Sequence, residues 1–213
     1  RHVEHLSVDM IERAHKSVYR ENQYSTSGRI GAALARRLAE PDGPEIVVVS
    51  RLLSHGWLEE ITMQALRTRL VRELRAKDRN GRFHIYYPHV EGLEDNTCVD
   101  VHSKVTVVDD MWLRVGSANV SNRSMGLDTE CDLVIEAQGS QDVAARIRRA
   151  RDTLIAEHLG VSVETFADAA ADAPTLASAI ERFQSPARTL KPLPDASRWP
   201  EEVIDAAAIA DPE

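Results

Sequence analysis

Apolar and polar positions along this chain repeat with two periods that take turns. In "HLSVDMIERAHKS" the apolar residues Leu6, Met10, Ile11 and Ala14 recur at helical spacing, with Ser7 or Asp9 available as a cap, and "SVYRENQY" then turns to strand character. "SGRIGAALARRLAE" predicts a second helix, stopped by the turn cluster "PDGP", and "EIVVVS" is a short apolar run suited to a strand buried on both faces. Leu58, Ile61, Ala65, Leu66, Leu70 and Leu74 form one stripe along a long helix that ends at Asn80-Gly81, ahead of the strand "RFHIYYP".

After the loop "HVEGLEDNT" the pattern predicts strands over Val99 to Val108, Trp112 to Val115 and Asp132 to Glu136, followed by the helix "SQDVAARIRRARDTLIAEHLG". The alternation implies an α/β fold, an α/β/α sandwich around a mixed or mostly parallel sheet. The core domain is expected over residues 1–160, with a helical extension over 161–184 made of "SVETFADAA" and "PTLASAIERFQ". From Ser185 onward five prolines within 28 residues predict an extended or linker-like tail over 185–213.

Charge changes this picture in one respect. With 34 acidic against 26 basic residues the net charge is −8, which argues against a broad electrostatic grip on nucleic acid. A local excess of base lies between Arg67 and Arg82, and a solvated helix face explains it better than a patch for lipid headgroups. Trp57, beside His55, is better read as core than as part of a substrate mouth. Cys98 and Cys131 are too few for a disulfide framework, lack metal-ligand spacing, and read as free packing thiols. No transmembrane-length run or signal peptide is visible, so the chain is expected in the cytoplasm or at a membrane surface.

Candidate chemistry concentrates in "VHSKVTVVDDMWLRVGSANVSNRSMGLDTE". If the strand runs through Val101, then His102, Lys104 and Thr106 share one face, while Val101, Ser103, Val105 and Val107 share the other. A hairpin turning at Asp109 brings Gly116-Ser117-Ala118-Asn119 alongside. An imidazole can attack phosphorus or protonate a leaving oxygen, and a lysine with an asparagine can hold the non-bridging oxygens of a phosphodiester.

His102-x-Lys104-x4-Asp109-x6-Gly116-Ser117-x-Asn119 resembles the HKD motif of the phospholipase D superfamily. "NRSMGLDTE", "VYRENQYSTS", "YYPHVEG" and "DLVIEA" are similar to segments of bacterial members, and the likeness covers about Leu6 to Leu159. Arg20 and Ser25 depart from the pattern, standing where that family has apolar or aromatic residues. The resemblance implies cleavage or transfer of phospholipid headgroups through a phosphohistidine, with no metal and no cofactor. It implies that His102 is the general acid/base, that Lys104 and Asn119 bind phosphate beside the Ser117 hydroxyl, and that Asp109 mainly braces its loop. Glu130, with Asp128 as the fallback, would hydrogen-bond an active-site histidine of a facing half, and Glu21, Asn22 and Gln23 would lie near the substrate or, equally well, merely stabilise a strand end.

That chemistry uses two opposed motifs, and this chain has one: His2, His5, His15, His55, His84, His89 and His158 all lack a lysine two residues on. The chain opens at Arg1 rather than Met, and it is expected to be the second-motif half of a longer enzyme. The expected partners are therefore a phospholipid or other phosphodiester and a second motif-bearing half, in the same chain or in another subunit. Two rivals stand beside this reading: a single-motif homodimeric phosphodiesterase or nuclease, and a catalytically silent module with the same fold. A weaker resemblance links the tail to proteins in which such a domain precedes a membrane domain, so membrane association is a further expectation.

Overall fold

The computed structural model describes residues 2–53, 57–95 and 97–194, with the backbone alone for 57–62. The elements follow in the order α1 (His2–Glu12), β1 (Ser17–Asn22), α2 (Gly28–Ala39), β2 (Glu45–Val49), α3 (Trp57–Lys77), β3 (Phe83–Val90), β4 (Lys104–Val108), β5 (Trp112–Gly116), α4 (Asn122–Gly126), β6 (Asp132–Glu136), α5 (Gln141–Leu159), α6 (Val163–Asp172), α7 (Leu176–Glu181) and β7 (Arg188–Pro192). The strands form a seven-stranded sheet in the order β6-β5-β4-β1-β2-β3-β7. β1, β2 and β3 run parallel through helical crossovers, and every other pairing is antiparallel, so the sheet is mixed.

Because side chains alternate along a strand, the central strands feed two separate cores. Val18, Ile46, Val48 and Val108 meet Ile11, Ile30, Leu34, Leu38, Leu70 and Leu74 of α1, α2 and α3 on one face. Tyr19, Val47, Val49, Val105 and Val107 meet Ile147, Ile155, Phe166 and Ile180 of α5, α6 and α7 on the other. This is the expected α/β/α sandwich. Of the stripe foreseen on α3, Ala65, Leu70 and Leu74 are buried, whereas the side chains of Leu58 and Ile61, with His55 and the Trp57 side chain, lie outside the described residues. Among the described residues no helix is long and apolar enough to cross a membrane.

Three local expectations are corrected. β4 begins at Lys104, not Val99, so His102 and Ser103 precede the paired strand. Arg188–Pro192 forms β7, paired antiparallel with β3 from Tyr86↔Pro192 to Val90↔Arg188, so the foreseen tail supplies an edge strand; residues 195–213 lie outside the described ones. The basic run is only in part a solvated face. Arg67 is buried and donates to the carbonyls of Arg51 and Leu52, and Arg82 donates to those of Leu38, Glu40 and Gly43.

Candidate active site

The site is built where β1 ends and β4 begins. Register pairs Asn22 with Lys104 and Glu21 with Val105, so the Glu21-Asn22-Gln23 segment runs beside the start of β4. Lys104 is buried, and its ammonium donates to the His102 carbonyl at 2.8 Å and reaches Gln23 Oε1 at 3.5 Å. Burial holds its pKa below the ordinary lysine value, reinforced by the Arg51 charge and opposed by Asp100 and Glu130. His102 itself is exposed, and among the described residues its imidazole makes no hydrogen bond.

The Gly116-Ser117-Ala118-Asn119 loop owes its shape to a buried ion pair. Arg114 donates to Asp132 at 2.8 Å from Nε and 2.5 Å from Nη2, and its Nη2 also reaches the Ala118 carbonyl at 3.1 Å. A Cβ at Gly116 would stand 1.6 Å from Asp132 Oδ1, which explains the glycine at that position of the motif. The loop then aims Ser117 at Glu130, whose carboxylate accepts from its hydroxyl, while Ser117 Oγ accepts the Cys131 amide at 3.0 Å. Asn119 Oδ1 is buried with no hydrogen-bond partner among the described residues, and the next amide, that of Val120, donates to Asn22 Oδ1 at 3.0 Å. Such an unsatisfied amide is costly unless water or a ligand completes it.

The structure thus brings Lys104, Ser117, Asn119, Glu130, Asn22 and Gln23 to one end of the sheet, with His102 at its rim. It places two of the candidate site residues, Asp109 and Glu21, elsewhere. Asp109 lies past the far end of β4, roughly 15 Å from Lys104 at ordinary strand rise, so no substrate at His102 touches it. Its carboxylate accepts the amides of His15, Lys16 and Ser17 at 2.6, 2.7 and 2.8 Å, and both it and Asp110 are left-handed, with φ of 54° and 57°. Asp109 therefore fastens the β4–β5 turn to the α1–β1 loop. Asp128 pairs with Arg123 at 3.1 Å.

Glu21 points to the opposite face from Lys104 and is buried beneath α5. It accepts hydrogen bonds from the Tyr19 hydroxyl, from Ser103 Oγ at 2.6 Å and from His158 Nε2 at 3.0 Å. Burial raises its pKa, but His158 and then the two hydroxyls more than offset that, holding the carboxyl below its ordinary value. A depressed folded-state pKa contributes stability that is present above the unfolded value, about pH 4.3, and is lost as pH falls through the folded one. The urea-unfolding free energy of the wild type should accordingly drop more steeply than that of Glu21→Gln as pH falls below about 4.3. Superimposable profiles from pH 7 to pH 3 would contradict the ionised, triply bonded carboxylate.

Sequence reasoning missed His158, Arg51 and Arg20. His158 carried a signal only as a histidine near the end of an apolar-periodic helix. Arg51 is buried and lies 3.3 Å from Asp100. Arg20 is 3% exposed, and burial followed by the charge of Arg114 lowers its pKa to about 9. Cys98 and Cys131 are free thiols, and among the described residues no group of three His, Cys, Asp or Glu side chains could hold a metal ion.

Against this geometry, the family model described as "Cardiolipin synthase, PLD-like domain" matches residues 8–155. The chain belongs to the phospholipase D-like family. It is 39% identical over 72 residues to phospholipase D alpha 1 of Nicotiana tabacum, a stretch covering 31% of this chain and 9% of the relative. It is 35% identical over 74 residues to phospholipase D alpha 2 of Brassica oleracea var. capitata, covering 32% and 9%. The chain therefore matches only a small part of the curated relatives' length. Among solved structures, phosphatidylserine synthase of Haemophilus influenzae Rd KW20 superposes with a TM-score of 0.62 at 12% identity, over 99% of this chain and 44% of that one. That likeness establishes the fold alone, and the matched family segment agrees closely with the extent expected from the sequence.

Proposed function

We propose that this chain is the second-motif half of a phospholipase D-type phosphodiesterase, acting on phospholipid headgroups by hydrolysis or transfer through a phosphohistidine. The observation that carries the reading is a half-site opening beside an apolar sheet edge that no other described strand covers. β6 is an edge strand, and Leu133 is 73%, Ile135 51% and Val115 46% exposed. Register places Val115 opposite Leu133 and Leu113 opposite Ile135, so these side chains share a face next to Ser117 and Glu130. Exposed apolar edges of this kind mark docking surfaces, and a facing half seated there would bring a second imidazole across from His102. The match of nearly the whole chain to 44% of the synthase chain agrees with one lobe of two.

In this mechanism the facing half's histidine attacks phosphorus, and the bond to the headgroup oxygen breaks. The departing oxygen takes a proton from His102, while Lys104 and Asn119 hold the non-bridging oxygens. Water, or an acceptor alcohol, then loses its proton to His102 as its oxygen attacks the phosphohistidine, giving phosphatidate or the exchanged lipid and freeing both imidazoles.

The test is reconstitution. The 213-residue chain alone should be monomeric and should not turn over bis(p-nitrophenyl) phosphate or phospholipid vesicles, and adding a half that carries the facing motif should restore both activities. Turnover by a proven dimer of this chain would assign it to the single-motif homodimers, and an assembled protein inert toward both substrates and toward plasmid DNA would leave the silent module.

A further inference from the structure

The segment that carries His102 is held by side chains rather than by the strand ladder. Residues 101–103 precede the paired strand, since the ladder between β1 and β4 begins at Asn22↔Lys104. Two side-chain tethers span it. Lys104 Nζ donates to the His102 carbonyl at 2.8 Å, and Ser103 Oγ donates to Glu21 Oε2 at 2.6 Å. The second is a short, charge-assisted bond to a carboxylate that is itself 2% exposed.

That carboxylate cannot swing freely. Its Oε1 accepts from the Tyr19 hydroxyl and faces His158 Nε2 at 3.0 Å, so β1 and the C-terminal turn of α5 both hold it. Each of these groups lies on the α5 face, opposite Lys104.

We infer that Glu21, fixed by His158 and Tyr19, is a positioning residue that clamps Ser103 and so sets the direction in which the flanking His102 and Lys104 side chains leave the backbone. The middle residue of the His-x-Lys triplet is thereby given a task, and a hydroxyl there is required by the carboxylate beneath it. The role deepens the proposed function and rests on it for its kinetic consequences. Displacement of a reacting group by about 1 Å costs on the order of 10²-fold in rate, so loss of the clamp acts on turnover more than on binding.

Four variants and three readouts, kinetics, melting temperature and amide exchange, test the clamp in the enzyme assembled with its second half. Ser103→Ala should lower kcat for bis(p-nitrophenyl) phosphate by about 10- to 100-fold with KM changed less than about threefold, and Ser103→Thr, which keeps the hydroxyl, should recover most of that loss. Phe166→Leu, a change in the fully buried core under the same helices, serves as the stability control: it should lower the melting temperature yet leave kcat nearly unchanged. Amide hydrogen exchange at residues 101–104 should quicken in Ser103→Ala and in Glu21→Gln, and this arm needs no activity.

Wild-type kcat in Ser103→Ala, or a loss that Ser103→Thr fails to recover, overturns the clamp. So does a kcat loss in Phe166→Leu that tracks its melting temperature as closely as in Ser103→Ala. If the assembled wild type cleaves no phosphodiester, the functional reading falls, and exchange alone decides: faster exchange at 101–104 supports the clamp, and unchanged exchange overturns it.

Discussion

In the enzyme assembled with its second half, His102→Ala should lower phospholipid turnover by about 10²- to 10⁴-fold, the range of a general acid/base, while leaving phosphate affinity nearly intact. The split follows from what the substitution removes. The imidazole is exposed and makes no hydrogen bond among the described residues, so its loss opens no cavity and frees no buried partner. Lys104 is tethered to the backbone carbonyl of residue 102, which alanine also supplies, and Asn119 sits on a loop shaped by Arg114 and Asp132. The proposed phosphate cradle of Lys104 and Asn119 therefore survives.

The size of the loss should depend on the leaving group. p-Nitrophenolate departs without a proton, so bis(p-nitrophenyl) phosphate should still form an adduct in His102→Ala, and the adduct should accumulate because no base removes it. Mass spectrometry of quenched reactions reads its position. An adduct on His102 in the wild type, with none on the facing histidine, would reverse the roles.

Most of the framework was legible because it depends on periodicity. Leu70 and Leu74 at helical spacing and Val105 and Val107 at alternate positions ended in opposite cores, as their patterns required. Alternation also put Ser103 on the face opposite His102 and Lys104, and it is the Ser103 hydroxyl that reaches Glu21 there. The site's far partners were not legible, because their contacts are set by tertiary packing. Glu21 meets His158 across 137 residues, and Asp109 meets His15 across 94, separations at which no local pattern speaks. Residues 188–192 read as a tail because Pro186 and Pro194 flank them and Pro192 ends them, yet an edge strand tolerates proline where no ladder amide is needed.

The largest stability effect is expected at the pair beneath the motif loop, and the two partners should be unequal. Arg114 and Asp132 are both 1% exposed in their side chains, and removing one member of a buried pair costs about 3–5 kcal/mol because the other charge is left uncompensated. Arg20 breaks the symmetry. It lies on the same face, one strand beyond Thr106, which is paired with Arg114, and the charge of Arg114 already helps to depress its pKa to about 9. Asp132→Ala leaves two buried guanidinium groups that repel each other and removes the carboxylate that compensates one of them. Arg114→Ala strands Asp132 but relieves the repulsion that Arg20 feels from the Arg114 charge. Asp132→Ala should therefore be the more damaging, by about 10 °C or more in melting temperature, and Arg114→Ala distinctly less so. Because Asp132 Oδ1 also receives the Ala118 amide at 3.4 Å, the aspartate variant should lose phosphate affinity along with stability. Equal melting temperatures for the two variants would show that repulsion between Arg20 and Arg114 does not set the difference, and the double variant Arg20→Met/Asp132→Ala, which removes one of the two stranded cations, should regain part of the stability that Asp132→Ala loses.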